Sequence, residues 1–195
     1  MSVTRRFTSP YAVASCILVL SSTVASTVPS HQTGPSHTHS SSPAVKLVIW
    51  ADHMKFSEKQ SVRLSASLQN DGDTPVYVDR RMFWTGFGGG LTLQISDAQG
   101  RSIPVRVLSD AIMPPPPPGD TTILLRLDEG FFYGTSLSLS VKDVFPKPGR
   151  YAIRVVYKSW LPKDLVAPEL RNLPAMWADS PAIASDQLWV DVTGS

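Results

Sequence analysis

The sequence is poor in the residues that carry most protein chemistry. It has one cysteine, Cys16, so no disulfide can form within a single chain. Only four histidines occur, and three of them (His31, His37 and His39) lie in one polar tract. Charged residues make up 17%, below the roughly 25% usual in soluble proteins. No stretch reaches the ~20 consecutive apolar residues of a membrane helix. Disulfide scaffolds, collagen-like chains, coiled coils and multi-span membrane proteins are therefore excluded.

The same scarcity argues against an enzyme. Beyond the polar tract the only histidine is His53, which rules out a histidine-rich zinc site and a Cys–His couple there. No H-E-x-x-H, G-x-S-x-G or P-loop pattern occurs. A serine triad would need His53 beside Asp52, and no serine is marked as its partner. Asp71 and Asp73 lack the spacing of a calcium loop and read as a hairpin turn. The expectation is a non-catalytic protein without metal or cofactor.

What is present begins with an address. Arg5 and Arg6 precede an apolar stretch from Tyr11 to Leu20, and small residues follow from Thr23 to Ser26. This order predicts a cleaved signal peptide over 1–26 and export to periplasm, cell surface or medium. Cys16 follows a small residue, as in lipoprotein signals. Its strongest apolar run, Ile17 to Leu20, lies after the cysteine, which is the wrong order for lipid attachment. Cleavage removes Arg5 and Arg6, taking 18 basic residues down to 16 against 16 acidic ones. A neutral surface without a basic block argues against nucleic acid and anionic membranes as partners. No membrane span is expected after cleavage. Residues 27–43, rich in Ser, Thr, Pro and His, read as a disordered spacer.

From 44 to 194 the apolar pattern has period two. Val62, Leu64, Ala66 and Leu68 alternate with Arg63, Ser65 and Ser67. Leu91, Leu93 and Ile95, then Leu137, Leu139 and Val141, repeat the pattern. Tyr151, Ile153, Val155 and Tyr157 follow, and Leu188, Val190 and Val192 come last. Such alternation marks strands with one buried face. Shorter runs at 45–50, 76–79, 103–107 and 123–127 bring the expectation to about nine strands. Asn70–Asp73, Asp97–Gly100 and Pro146–Gly149 supply the turns between them. The pattern predicts an all-β antiparallel sandwich. Gly149-x-Tyr151 at a strand start suggests a tyrosine corner, or simply a strand-initial aromatic.

Three stretches interrupt the alternation. Met82–Gly90 combines Phe83, Trp84 and Phe87 with four glycines, directly after Arg80 and Arg81. A loop at 111–120 carries Pro114 to Pro118. Trp160–Pro181 is a long insert bracketed by Trp160 and Trp177, with a helical turn expected from Pro168. Phe131, Phe132 and Tyr133 form a further aromatic cluster at a strand start. Arginine and aromatic residues dominate binding hot spots, so Arg80, Arg81, Phe83, Trp84, Phe87, Trp160 and Trp177 are the candidate contact residues. Equally, the rings can close the open ends of the sandwich.

The segments VRLSASLQN (Val62–Asn70), Pro75–Val78, LQISDAQG (Leu93–Gly100) and FPKPGRYAIRVVY (Phe145–Tyr157) together resemble a bacterial exported immunoglobulin-like domain. They are similar to small proteinase-inhibitor domains and to sandwich modules that accompany secreted proteases. The resemblance implies an immunoglobulin-like β-sandwich, and no inhibitory loop motif carries over residue by residue. It leaves three functions open: a binding module for an unknown protein or glycan, a proteinase inhibitor, or an accessory part of an envelope complex. Oligomeric state is not legible.

Overall fold

The computed structural model describes residues 45–85, 90–105 and 115–194. The signal peptide and spacer expected over 1–43 lie outside the described residues, as do Phe87 and Pro114. Eleven strands build the described chain: β1 (Val45–Ala51), β2 (Lys55–Ser57), β3 (Ser61–Asn70), β4 (Val76–Asp79), β5 (Gly90–Asp97), β6 (Ser102–Ile103), β7 (Leu124–Leu127), β8 (Phe132–Ser140), β9 (Gly149–Lys158), β10 (Ile183–Ala184) and β11 (Leu188–Thr193). Helix is confined to a four-residue turn, Val141–Val144, and two short 3-10 turns, Lys163–Leu165 and Pro168–Leu170. None of these helices is long and apolar enough to cross a membrane.

One sheet has the order β1-β3-β8 and the other β2-β11-β9-β5-β6, with β10 also paired to β9. All named pairings are antiparallel except β2 with β11, which run parallel. The sheets face each other across one core. Leu47, Val62, Leu64, Ala66 and Leu68 enter it from the first sheet, and Leu91, Ile95, Ile153, Val155, Val190 and Val192 from the second. At roughly 1.5–3 kcal/mol for each fully buried aliphatic side chain, this alternation is the main driving force of the fold. The architecture is thus an all-β sandwich. The two strands beyond the expected nine include β2 and β10, whose three and two residues are too short to show a period.

Asn70 closes the end of β3 and is fully buried. Its amide Nδ2 donates to the Thr74 and Leu127 carbonyls at 2.8 and 3.0 Å, while its Oδ1 accepts from the Gly72 N–H. It thereby fixes the turn and ties β3 to β7. Strands β4 and β7 form a separate pair, and the insert docks beside them. The Tyr77 N–H donates to the Pro174 carbonyl, and the Met176 N–H donates back to that of Tyr77. A second small core joins Leu161, Val166 and Trp177 of the insert to Ile123, just before β7. The turn expected from Pro168 is the second 3-10 turn.

Tyr151 is 1% exposed, and its hydroxyl donates to the Lys147 carbonyl at 2.7 Å. The tyrosine-corner contact is therefore made, with Phe145 packed against the same ring. Tyr151→Phe keeps the buried ring and removes only this bond. It should lower stability by about 1 kcal/mol, read as a shifted urea midpoint with an unchanged slope.

Candidate functional site

The site is built on the chain that leaves β4. Asp79 ends the strand with its side chain pointing inward, 2% exposed. A buried carboxylate needs a partner, and Arg81 supplies it two residues later. The Arg81 Nε donates to Oδ1 at 3.1 Å and Nη2 to Oδ2 at 3.0 Å, a two-pronged pair. The Arg81 backbone N–H adds a third bond, to Oδ1 at 2.8 Å.

That clamp fixes the guanidinium plane. Its Cζ sits 4.7 Å from the centroid of the Trp160 ring, within cation–π range. Phe83 meets the same indole edge-on, with centroids 6.2 Å apart and planes at 85°. Arg81, Phe83 and Trp160 are each partly exposed, so the stack forms a preset patch at the surface.

Neighbouring charges frame the patch. Arg80 Nη2 lies 3.9 Å from Asp120 Oδ2. The Thr122 hydroxyl and backbone N–H both bond Asp120 and hold its carboxyl below the usual carboxylate range. Arg80 and Arg81 add to that shift. The Arg80 carbonyl accepts the Tyr133 hydroxyl. Beneath Asp79, burial pushes the Tyr157 phenol upward and the Asp79 charge adds to it, against a hydrogen bond with Ser159. The phenol therefore stays protonated at physiological pH.

Trp84 takes a different place. The Leu91 N–H donates to the Phe83 carbonyl at 2.8 Å, and the Thr85 N–H donates to the Leu91 carbonyl at 2.9 Å. Gly90 permits this return at φ 74°, where an added Cβ would stand 2.6 Å from the Phe83 carbonyl oxygen. The fold-back drives the Trp84 ring into the main core, 7% exposed. Trp177 is likewise interior, 8% exposed within the second small core. Of the candidate residues, the structure brings together Arg80, Arg81, Phe83 and Trp160. It assigns Trp84 and Trp177 to packing, because both rings cover apolar surface that would otherwise meet water.

Sequence reasoning missed Asp79. It reads as the polar end of a strand, and its role depends on which way that strand end faces. Among the described residues no group of three His, Cys, Asp or Glu side chains converges as a metal site. His53 is exposed, edge-on to Phe56, with its backbone N–H bonded to Asp52.

No family model and no curated protein matches the chain. Among solved structures it is similar to a β-glucosidase, EmGH1, from Erythrobacter marinus, at 14% identity and a TM-score of 0.35, over 77% of this chain and 15% of that one. A β-glucosidase from Listeria innocua in complex with isofagomine matches at 10% identity and the same TM-score, over 77% and 16%. The chain thus spans about a sixth of these proteins' length. At that TM-score the likeness carries no inference about fold or activity.

Proposed function

We propose that this protein is a non-catalytic, exported binding module of immunoglobulin-like type that grips a protein or glycan through its loop end. The observation that carries the reading is the Asp79–Arg81–Trp160–Phe83 stack. An arginine already clamped and stacked loses little side-chain entropy on binding, which is what makes an anchor. Supporting the immunoglobulin-like part is the tyrosine corner made by Tyr151. The reading rests on site geometry, since a widely used fold fixes no function by itself.

Arrays of extracellular proteins and glycans, probed with the purified chain, test it. Arg81→Lys keeps a cation beside Asp79 but loses the planar fork and the stack. It should weaken the captured ligand about tenfold or more, the scale of a hot-spot residue. Equal binding by Arg81→Lys and by Phe83→Ala would remove this patch from consideration. Loss of protease activity at one equivalent of the chain would instead make it a proteinase inhibitor.

A further inference from the structure

The outer face of the β1-β3-β8 sheet holds a second feature, independent of the loop end. Register places Trp50 beside Ser65 and Ser65 beside Ser136. One step along, Val48, Ser67 and Gly134 lie abreast, and at the next Lys46, Gln69 and Phe132. Trp50 and Phe132 therefore stand diagonally across β3, about 16 Å apart at their α-carbons from standard strand spacings. Both are exposed, 45% and 69%. Between them runs a shallow groove of about 180 Å³, floored by Ser65, Ser67, Gly134 and Ser136.

Two properties of this groove select a ligand. None of the residues lining it ionises, so the complementary ligand carries no charge. Its floor is polar although its walls are rings. Ser67 is only 4% exposed, and its hydroxyl has no hydrogen-bond partner among the described residues. Ser65 and Ser136 bond each other at 2.9 Å, which leaves further acceptor capacity on both oxygens. An apolar protein surface laid over this floor would leave the Ser67 hydroxyl without a partner and the spare acceptors of Ser65 and Ser136 unused. A ligand with C–H faces for the rings and hydroxyls at its edge fits both demands.

Gly134 makes the groove possible. A Cβ there would lie 2.3 Å from the Ala66 carbonyl oxygen and 2.7 Å from the Ser67 Cβ, so a side chain cannot be added without moving β8. The strands come close, and the floor stays low between the two rings.

We propose that this groove binds a neutral saccharide, with sugar rings stacked on Trp50 and Phe132 and a sugar hydroxyl satisfying Ser67. The site goes beyond the loop-end reading and stands or falls separately from it. The test is calorimetry and tryptophan fluorescence of the purified chain with short neutral oligosaccharides of glucose, xylose, mannose, galactose and N-acetylglucosamine. At least one should bind with a blue shift. Trp50→Ala should weaken it roughly tenfold, about 1.4 kcal/mol of binding free energy. Ser67→Ala should weaken it about threefold or more. Ser67→Ala should unfold at the urea midpoint of the parent, because Ser67 has no partner to lose. Trp50→Ala, which also removes the covered half of the ring, should still unfold in one cooperative transition with an unchanged slope. Arg81→Lys should leave this binding unchanged. No binding by any of the sugars at millimolar concentration would overturn the proposal, as would binding indifferent to Trp50→Ala and Phe132→Ala. A dimer in sedimentation that Trp50→Ala dissolves would also overturn it, making the groove a self-association face.

Discussion

Trp84→Ala should lower the free energy of unfolding by about 3–5 kcal/mol, as core aromatic truncations do. The ring is 7% exposed within the main core, and the backbone around it is held by the paired bonds between Phe83, Thr85 and Leu91. Those bonds limit collapse of the cavity, which keeps the cost high. Trp84→Phe should cost much less, within about 1.5 kcal/mol. The reason is specific: the Trp84 Nε1 is buried without a hydrogen-bond partner among the described residues, so phenylalanine removes that donor along with some volume. Urea unfolding of the two variants checks both values. A loss below about 1 kcal/mol for Trp84→Ala would return the residue to the contact surface.

Arg81→Ala should be nearly as damaging, at about 3 kcal/mol or more, although Arg81 lies at the surface of the patch. The damage falls on Asp79. Its carboxylate is 2% exposed and takes both prongs of the guanidinium, so the truncation strands a buried charge. The backbone N–H of residue 81 still bonds Oδ1 in the variant and cannot replace a cation. A double variant, Asp79→Asn with Arg81→Ala, removes the stranded charge and should regain at least about half of the loss. Thermal unfolding of the single and double variants measures this as a coupling free energy. Strictly additive losses would mean that the pair does not act as a unit. The wider consequence is that alanine scanning of this patch mixes binding with stability, which is why Arg81→Lys is the better probe of contact.

The long strands were legible because their alternation is uninterrupted. β3 and β9 keep an apolar face over seven residues, Val62–Leu68 and Tyr151–Tyr157, and β5 over five, Leu91–Ile95, so the period alone assigns them. In β8 only Leu137 and Leu139 carry the signal, and Val141, expected to continue that strand, opens the helical turn Val141–Val144 instead. β2 and β10 were not legible, since they pair only because neighbouring strands are already in place. The aromatic–arginine cluster was visible as composition, yet composition cannot sort its rings. Phe83 and Trp84 are adjacent in sequence, and the fold-back at Gly90 sends one outward and the other into the core. The Asp79–Arg81 clamp spans only two residues and depends on the direction of a strand end. The Trp50–Phe132 groove was further out of reach. It exists only through the register of three strands, two of them more than sixty residues apart in sequence.

The strand order has a consequence in time. In the second sheet the last strand, β11, lies between β2 and β9, so strands from the two ends of the domain share one ladder. A ribosome delivers β2 long before β11, and until then β2 has no partner in this sheet. Val190 and Val192 are likewise missing from the core during that interval. The nascent domain can form its first sheet and the β5–β9 pairing early, but the sandwich stays open along one side. Closure of that side waits on β11, the last of these strands to be made.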